Sequence, residues 1–129
     1  MVKEQLQKPT ASELEILHVL WERGPSTVRE VHDALSEKKD LGYTTVLKLL
    51  QIMTTKGLVR RNEEQRAHVY EACQPATETK RQLVGDVLKR VFEGSASELM
   101  IHALEGRRTS KEELDELRRL LDEYEGRSR

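Results

Sequence analysis

The sequence predicts a mainly α-helical protein that carries one short β-hairpin near its middle, and three observations predict this class. Apolar residues recur at helical spacing along most of the chain. Three Ser/Thr-x-x-Glu capping boxes, which begin at Thr10, Thr27 and Ser110, mark helix starts. Within residues 41–70, helical spacing gives way, after a glycine, to two short runs that indicate paired strands.

The first two predicted helices are short and precede this segment. Helix one begins after Thr10 and ends near Arg23. Its buried side is predicted to hold Leu14, Leu17, Leu20 and Trp21, with Ile16 at the edge. Helix two begins after Thr27 and ends near Ser36. Its inward residues are predicted to be Val28, Val31 and Leu35.

The helix that opens residues 41–70 has two faces of different chemistry. At about 100° per residue, a narrow apolar stripe forms from Val46, Leu49, Leu50 and Met53. The opposite face carries neutral donors and acceptors, one cation and no carboxylate: Thr44, Lys48, Gln51 and Thr55. Solvent-facing helices usually mix Glu with Lys, so an acid-free face suits contact with phosphates and base edges. A plain polar surface that lacks acids is the alternative interpretation.

A basic hairpin follows this helix. Lys56-Gly57 is a typical helix stop. Residues 58–61 and 68–72 are predicted strands, and residues 62–67 form the polar turn between them. Three cations lie on or near the hairpin: Arg60, Arg61 and Arg66. Two short helices, a recognition helix and a hairpin together predict a winged helix-turn-helix fold.

Three further helices are predicted after a hinge at residues 74–76, so that residues 1–74 form a winged-helix DNA-binding domain and residues 75–129 a helical dimerisation region. The apolar stripes of these helices have no evident cover within the chain. The predicted dimerisation residues are Leu88, Val91, Phe92, Leu99, Leu114, Leu117 and Leu121. A monomeric bundle that packs back on the winged helix is the alternative.

The composition favours a protein that completes its core by pairing. The chain has 129 residues, of which 36% are hydrophobic and 35% charged, a low apolar content for a self-sufficient monomer. The net charge is −1, but residues 41–70 hold five cations and two acids, whereas residues 109–125 hold three cations and seven acids. This distribution suits a body that meets phosphate at one surface only.

We expect a cytoplasmic protein without membrane insertion, because no apolar run approaches the roughly 20 residues that span a bilayer. The N-terminus also lacks the apolar region of a signal peptide. We expect neither an enzyme nor a metal or cofactor site. The four histidines, His18, His32, His68 and His102, fall on separate predicted elements without metal-ligand spacing. Cys73, the single cysteine, is interpreted as an ordinary small residue or as a redox sensor.

The chain resembles the penicillinase-repressor family of bacterial transcriptional regulators (BlaI/MecI/CopY type). The segments that carry the resemblance are SELEILHVLWERGPSTVREVHDAL, GYTTVLKLLQIMTTKGLVRR, AHVYEA, FEGSASELM and SKEELDELRRLL. The resemblance implies a homodimeric repressor that binds a palindromic operator through its winged helix and pairs through its C-terminal helices. It also implies that Arg66 lies at a basic wing tip and that four residues face the groove: Thr44, Thr45, Lys48 and Gln51.

Two features depart from the family pattern. The resemblance implies a membrane sensor metalloprotease as a partner, which cuts an Asn-Phe bond in the C-terminal region. The matching positions here are His102-Ala103, so cleavage at this bond does not follow from the resemblance. The copper-responsive branch carries a cysteine cluster near its C-terminus, and a chain with Cys73 alone lacks that cluster. The inducing signal therefore stays open at this point.

The preferred hypothesis assigns phosphate contacts to Lys48, Arg60, Arg61 and Arg66, and base reading to Thr44, Thr45 and Gln51. A rival hypothesis is a winged-helix protein-interaction module without sequence-specific DNA binding. A third is a regulator that responds to a small molecule bound between the C-terminal helices. The acid-free helix face and the basic hairpin favour the first hypothesis over the second.

Overall fold

The structure, a computed structural model, describes residues 8–127. Its helices are α1 (Ala11–Arg23), α2 (Val28–Ser36), α3 (Tyr43–Lys56), α4 (Ala76–Arg90), α5 (Ala96–Glu105) and α6 (Lys111–Arg127). Its strands are β1 (Ser26–Thr27), β2 (Val59–Asn62) and β3 (Val69–Ala72). The predicted mainly α class is therefore confirmed. The chain forms two compact units that divide between Leu83 and Val84, inside α4, and the predicted domain boundary at residues 74–75 stays a prediction.

Capping boxes start α1 and α2, as the sequence predicts. The Thr10 side chain accepts a hydrogen bond from the Glu13 amide at 3.2 Å, and the Glu13 carboxylate accepts one from the Thr10 amide at 2.9 Å. Thr27 and Glu30 repeat this exchange at the start of α2. At α6, Ser110 accepts from the Glu113 amide at 3.0 Å. These bonds satisfy N–H groups that have no partner inside a helix.

The hydrophobic core lies entirely in the first unit. Its twelve buried apolar side chains are Ile16, Leu17, Val19, Leu20, Val28, Val31, Leu35, Val46, Leu50, Met53, Val59 and Tyr70. Ile16, predicted at the edge of α1, is fully buried, whereas Leu14 and Trp21 are only half-buried. The edge position predicted for Ile16 was wrong because α1 packs against α2, α3 and β3 together, which makes its buried face wider than one stripe. Leu14 and Trp21 do pack against the core, but from its partly exposed border.

The hairpin is part of a three-stranded antiparallel sheet with the order β1-β3-β2. Val59 lies opposite Ala72 on one side of β3, and Ser26 lies opposite Tyr70 on the other. Strand β1 was not predicted, because two residues beside a proline are too few to show alternation. The first three helices and this sheet together form the winged helix-turn-helix fold. Because β3 is the central strand, the wing is anchored to the connection between α1 and α2.

The second unit has a different character. None of its described residues, 84–127, is fully buried. Of the nine large apolar side chains that are exposed in the described chain, seven lie in this unit: Val84, Val87, Val91, Met100, Ile101, Leu121 and Tyr124. The charged side of α6 is tied by ion pairs within the helix, among them Arg119 with Glu116 and Glu123. The helices of this unit therefore present an uncovered apolar surface.

Candidate nucleic-acid interface

The recognition helix α3 shows one buried and one exposed face. Val46, Leu50 and Met53 are inaccessible to solvent and fix the helix on the core. The predicted groove-facing residues Thr44, Thr45, Lys48 and Gln51 are all exposed. The helix has 14 residues, which at about 1.5 Å per residue is about 21 Å long, and an α-helix of this kind fits the major groove of DNA. The sequence of α3 contains no carboxylate, so its exposed face is free of acids.

The start of α3 is electrostatically open. Gly42 is the N-cap residue, and no side chain accepts a hydrogen bond from the first turn. No acidic residue occurs in that turn either. Helix N-termini carry a partial positive charge and unpaired N–H groups, which attract anions. The end of α3 that a phosphate would approach is thus left without an internal anion.

The end of α3 is held by a buried ion pair. Lys56 Nζ lies 2.7 Å from Glu13 Oε1, and the two side chains are 19% and 3% exposed. Burial raises the pKa of Glu13, but the hydrogen bonds from Lys56 and Thr10 and the charge of Lys56 outweigh burial, so that the pKa is lowered overall. Gly57 then adopts the left-handed conformation, with φ at 83°. Lys56 counts among the five cations of residues 41–70, but its charge is paired with Glu13 in the interior and is not available to a phosphate.

Two of the three predicted wing arginines are paired with acids on the wing itself. Arg60 lies opposite Glu71 across the β2–β3 pair, and its Nε donates to Glu71 at 2.6 Å. Arg61 Nε donates to Glu63 at 2.7 Å. These hydrogen bonds raise the pKa of both guanidinium groups. The residues of the wing tip, 63–68, are all exposed.

The remaining predicted cations are not paired. Lys48 on α3 and Arg66 on the wing tip are both exposed, and neither has an ion-pair partner within residues 8–127. An unpaired cation can neutralise a phosphate without first breaking an internal bond. Of the four predicted phosphate contacts, Lys48 and Arg66 are therefore available to a phosphate, whereas Arg60 and Arg61 are already neutralised by acids of the wing.

A cluster of side chains from α2 lies beside the start of α3 and was not predicted from the sequence. Arg29 of α2 lies over the ring of Tyr43, the first residue of α3, with its guanidinium carbon 5.5 Å from the ring centre. His32, one turn further along α2, meets the same ring edge-on at 6.1 Å. The i, i+3 spacing of Arg29 and His32 was the available signal, but nothing in the sequence indicated that α2 would face Tyr43.

The predicted dimerisation residues lie on the three helices of the C-terminal half and in the turn after α4, which holds Val91 and Phe92. Leu88, Phe92, Leu99, Leu114 and Leu117 are half-buried, while Val91 and Leu121 are 66% and 69% exposed. The ring of Phe92 lies 5.7 Å from the ring of His102. Such exposure of aliphatic side chains is costly in water and is typical of surfaces that pair.

Metal ligands and membrane spans are the two other classes of feature that bear on function. No group of three or more His, Cys, Asp or Glu side chains within residues 8–127 is arranged to hold a metal ion. Among the helices in that range, none is both long and apolar enough to cross a bilayer.

Comparison with known proteins identifies the family. The sequence pattern of the penicillinase repressor family matches residues 9–123. The transcriptional regulator BlaI of Mycobacterium tuberculosis is 39% identical over 112 residues, which cover 85% of this chain and 80% of that protein. The penicillinase repressor of Bacillus licheniformis is 25% identical over 118 residues, 92% of each chain. The methicillin resistance regulatory protein MecI of Staphylococcus aureus is 20% identical over 113 residues, 88% of this chain and 92% of that one.

A solved structure supports the fold assignment. It is the solution structure of the monomeric form of Bacillus licheniformis BlaI in complex with the blaP half-operator. The alignment has a TM-score of 0.50 and 23% identity, and covers 57% of this chain and 90% of the other. Because the family pattern spans most of the sequence, this chain belongs to the penicillinase repressor family.

Proposed function

We propose that this protein is a homodimeric transcriptional repressor that binds a palindromic operator. In this proposal α3 of each protomer enters a major groove and the wing lies against the adjacent backbone. The relatives support it by their names, since they are a transcriptional regulator, a penicillinase repressor and a resistance regulatory protein. The similar solved structure, a BlaI bound to a half-operator, supports the use of this fold on DNA.

The observation that carries the proposal is the exposed face of α3. It is acid-free over its length and begins at a helix terminus without an internal anion. Base reading is assigned to Thr44, Thr45 and Gln51, whose side chains both donate and accept hydrogen bonds. Phosphate contact is assigned first to Lys48 and Arg66, because both are unpaired.

Arg60 and Arg61 have a different place in the proposal. Each would have to exchange an internal carboxylate for a phosphate, so the net gain from contact is smaller. Their ion pairs leave the base of the wing nearly neutral. Arg60 and Arg61 therefore lie at the edge of the proposed interface, and Arg66 makes the main contact between the wing and the DNA backbone.

Dimerisation is supported by the state of the C-terminal helices. The second unit has no fully buried residue among 84–127, yet it carries seven exposed large apolar side chains. A second copy would cover these side chains and supply the core that one chain lacks. The twofold symmetry of such a dimer would match an inverted repeat in DNA.

Selection from a pool of random duplexes tests the proposal and does not require the operator sequence to be known. Protein-bound duplexes are recovered over several rounds and sequenced, and we expect an enriched inverted repeat whose half-sites lie about one helical turn apart or a multiple of it. Enrichment of a single unrepeated site would contradict binding as a symmetric dimer. No retention of DNA at low salt would favour the protein-interaction module instead.

A further inference from the structure

Arg29, Tyr43 and His32 form a cluster at the point where α2 meets the start of α3. Arg29 and His32 lie one turn apart on the same face of α2, and both contact the ring of Tyr43. The His32 ring also lies 2.8 Å, through Nε2, from the carbonyl oxygen of Leu41, in the connection that leads into α3. The aromatic ring is thereby held from two sides.

The guanidinium of Arg29 is held in place but not neutralised. Arg29 is exposed, and no carboxylate within residues 8–127 pairs with it. Its attraction to the face of the Tyr43 ring limits the positions that it samples, because a cation favours the negative face of an aromatic ring. Tyr43 and Arg29 are both exposed, so the cation stays open to solvent and to a ligand.

The position of this cation relates it to α3. Tyr43 is the first residue of α3, so Arg29 stands beside the helix start that no side chain caps. A phosphate there would meet one full positive charge and the partial positive charge of the helix end. In a helix-turn-helix protein, the DNA backbone passes the recognition helix at this level, since its first residues reach the base edges.

We propose that Arg29, oriented by Tyr43, contacts a DNA phosphate at the edge of the groove that α3 occupies. This inference rests on the proposed function, and it adds a contact that neither α3 nor the wing supplies. Arg60 and Arg61 are paired with acids on the wing, so the unpaired cations that the described part of each protomer presents to the backbone are Arg29, Lys48 and Arg66. Tyr43 acts as a positioning residue.

The salt dependence of binding to a labelled duplex of arbitrary sequence tests this contact. Fluorescence anisotropy gives the affinity at several KCl concentrations, and each lost phosphate contact lowers the log–log slope by about one. We expect Arg29→Gln to lower the slope by about one per protomer and Arg29→Lys to retain it. Lys80→Gln removes an exposed cation on α4, away from the cluster, and is expected to leave the slope unchanged.

Tyr43→Leu separates orientation from charge. This variant keeps every cation, so we expect an unchanged slope and an affinity about two- to five-fold weaker, as the loss of a cation–π contact implies. Thermal melting of each variant verifies that the fold is retained. If the unaltered protein binds with a strong slope and Arg29→Gln binds identically, the Arg29 contact is wrong while the proposed function stands. If the unaltered protein shows no salt-dependent binding, the proposed function itself fails.

Discussion

At the scale of single residues, the charge of a side chain and its availability to a ligand are separate properties. Lys56 is a cation at the end of the recognition helix, yet its ammonium is directed inwards to the buried carboxylate of Glu13. Arg60 and Arg61 are at the surface, yet both are paired with neighbouring acids. The sequence shows how many cations the segment has, and the packing determines which of them a phosphate can reach.

The buried pair makes a first prediction about stability. Lys56→Met leaves the Glu13 carboxylate buried without its cation, which we expect to cost about 3–5 kcal/mol of unfolding free energy. The double variant Glu13→Gln/Lys56→Met removes both charges, and it should be less destabilised than Lys56→Met alone. Urea unfolding at neutral pH measures both effects. Equal losses in the single and double variants would show that the unpaired Glu13 charge carries no burial cost.

The lowered pKa of Glu13 makes a second prediction, about pH. In the folded chain this pKa lies below the ordinary value of 4.5, so the unfolded state binds a proton more readily than the folded state. The stabilisation by Glu13 is therefore complete above pH 4.5 and disappears as the pH falls through the folded pKa. We expect the difference in unfolding free energy between the unaltered chain and Glu13→Gln to shrink in acid. A difference that is constant from neutral pH to about pH 3 would contradict the lowered pKa.

At the scale of elements, the turn between α4 and α5 and the wing are the two connections that local conformation controls most. Glu93 has a positive φ of 50°, and Gly94 follows with 87°. The Gly94 amide closes the end of α4 by donating to Leu88 at 2.9 Å. Only glycine adopts this region without a steric cost from Cβ, so one of the two positions is strained and the other is not.

A matched pair of variants makes a third prediction from this turn. Glu93→Gly relieves the left-handed strain, and we expect a gain of about 0.5–1 kcal/mol after the greater freedom of glycine in the unfolded chain is subtracted. Gly94→Ala creates the same strain at the next residue and should cost about 1 kcal/mol. A Cβ at residue 94 meets no atom within 4 Å, so backbone strain is its only cost. Urea unfolding with both changes in the same direction would refute this account.

The wing makes a fourth prediction, on DNA binding. Arg66→Ala removes an unpaired cation and is expected to weaken binding to all duplexes and to lower the salt slope by about one. Arg60→Ala removes a cation that Glu71 already neutralises, so its slope should change much less. Electrophoretic titration at several salt concentrations compares the two. An equal fall in both variants would show that the Arg60–Glu71 pair opens on DNA.

The wing also shows how much of the structure can be predicted from the sequence. The helix stop, the two alternating runs and the polar turn predicted a hairpin after α3, and the structure confirms it within one or two residues. Strand β1 was not predictable, because its two residues become a strand only when β3 is beside them. The pairs of Arg60 and Arg61 depend on cross-strand register and turn geometry, and the Arg29–Tyr43 contact depends on how α2 packs on α3. None of these is a local property of the sequence.

At the scale of the whole molecule, the apolar side chains are divided unequally. The first unit buries its own core, and the second buries none of its described residues fully. The low overall hydrophobic content predicted this shortage of core, and the structure locates it in residues 84–127. The dimerisation residues, all of which lie in this second unit, and the domain boundary at residues 74–75 remain predictions.

Dimerisation makes the fifth prediction. Leu121 is 69% exposed in the single chain, so Leu121→Asp removes little packing within one protomer and should be harmless to a monomer. We expect it instead to shift the protein to monomers and to reduce operator affinity strongly, as Leu117→Asp should also do. Gln82→Asp adds the same acid at an exposed polar position of α4 as a control. Sedimentation that shows an intact dimer in both leucine variants would exclude α6 from the interface.

The central position of β3 has a consequence for the motions of the wing. Thr27 caps α2 with its side chain and, through its backbone, lies opposite Val69 in the sheet. The base of the wing and the start of α2 therefore cannot open one at a time, and we expect them to behave as one cooperative unit in native-state hydrogen exchange. The amides of residues 69–72 should exchange as slowly as those of the core helices, while the tip at 63–68 exchanges fast. Only the tip is then left to adapt to the curvature of a duplex.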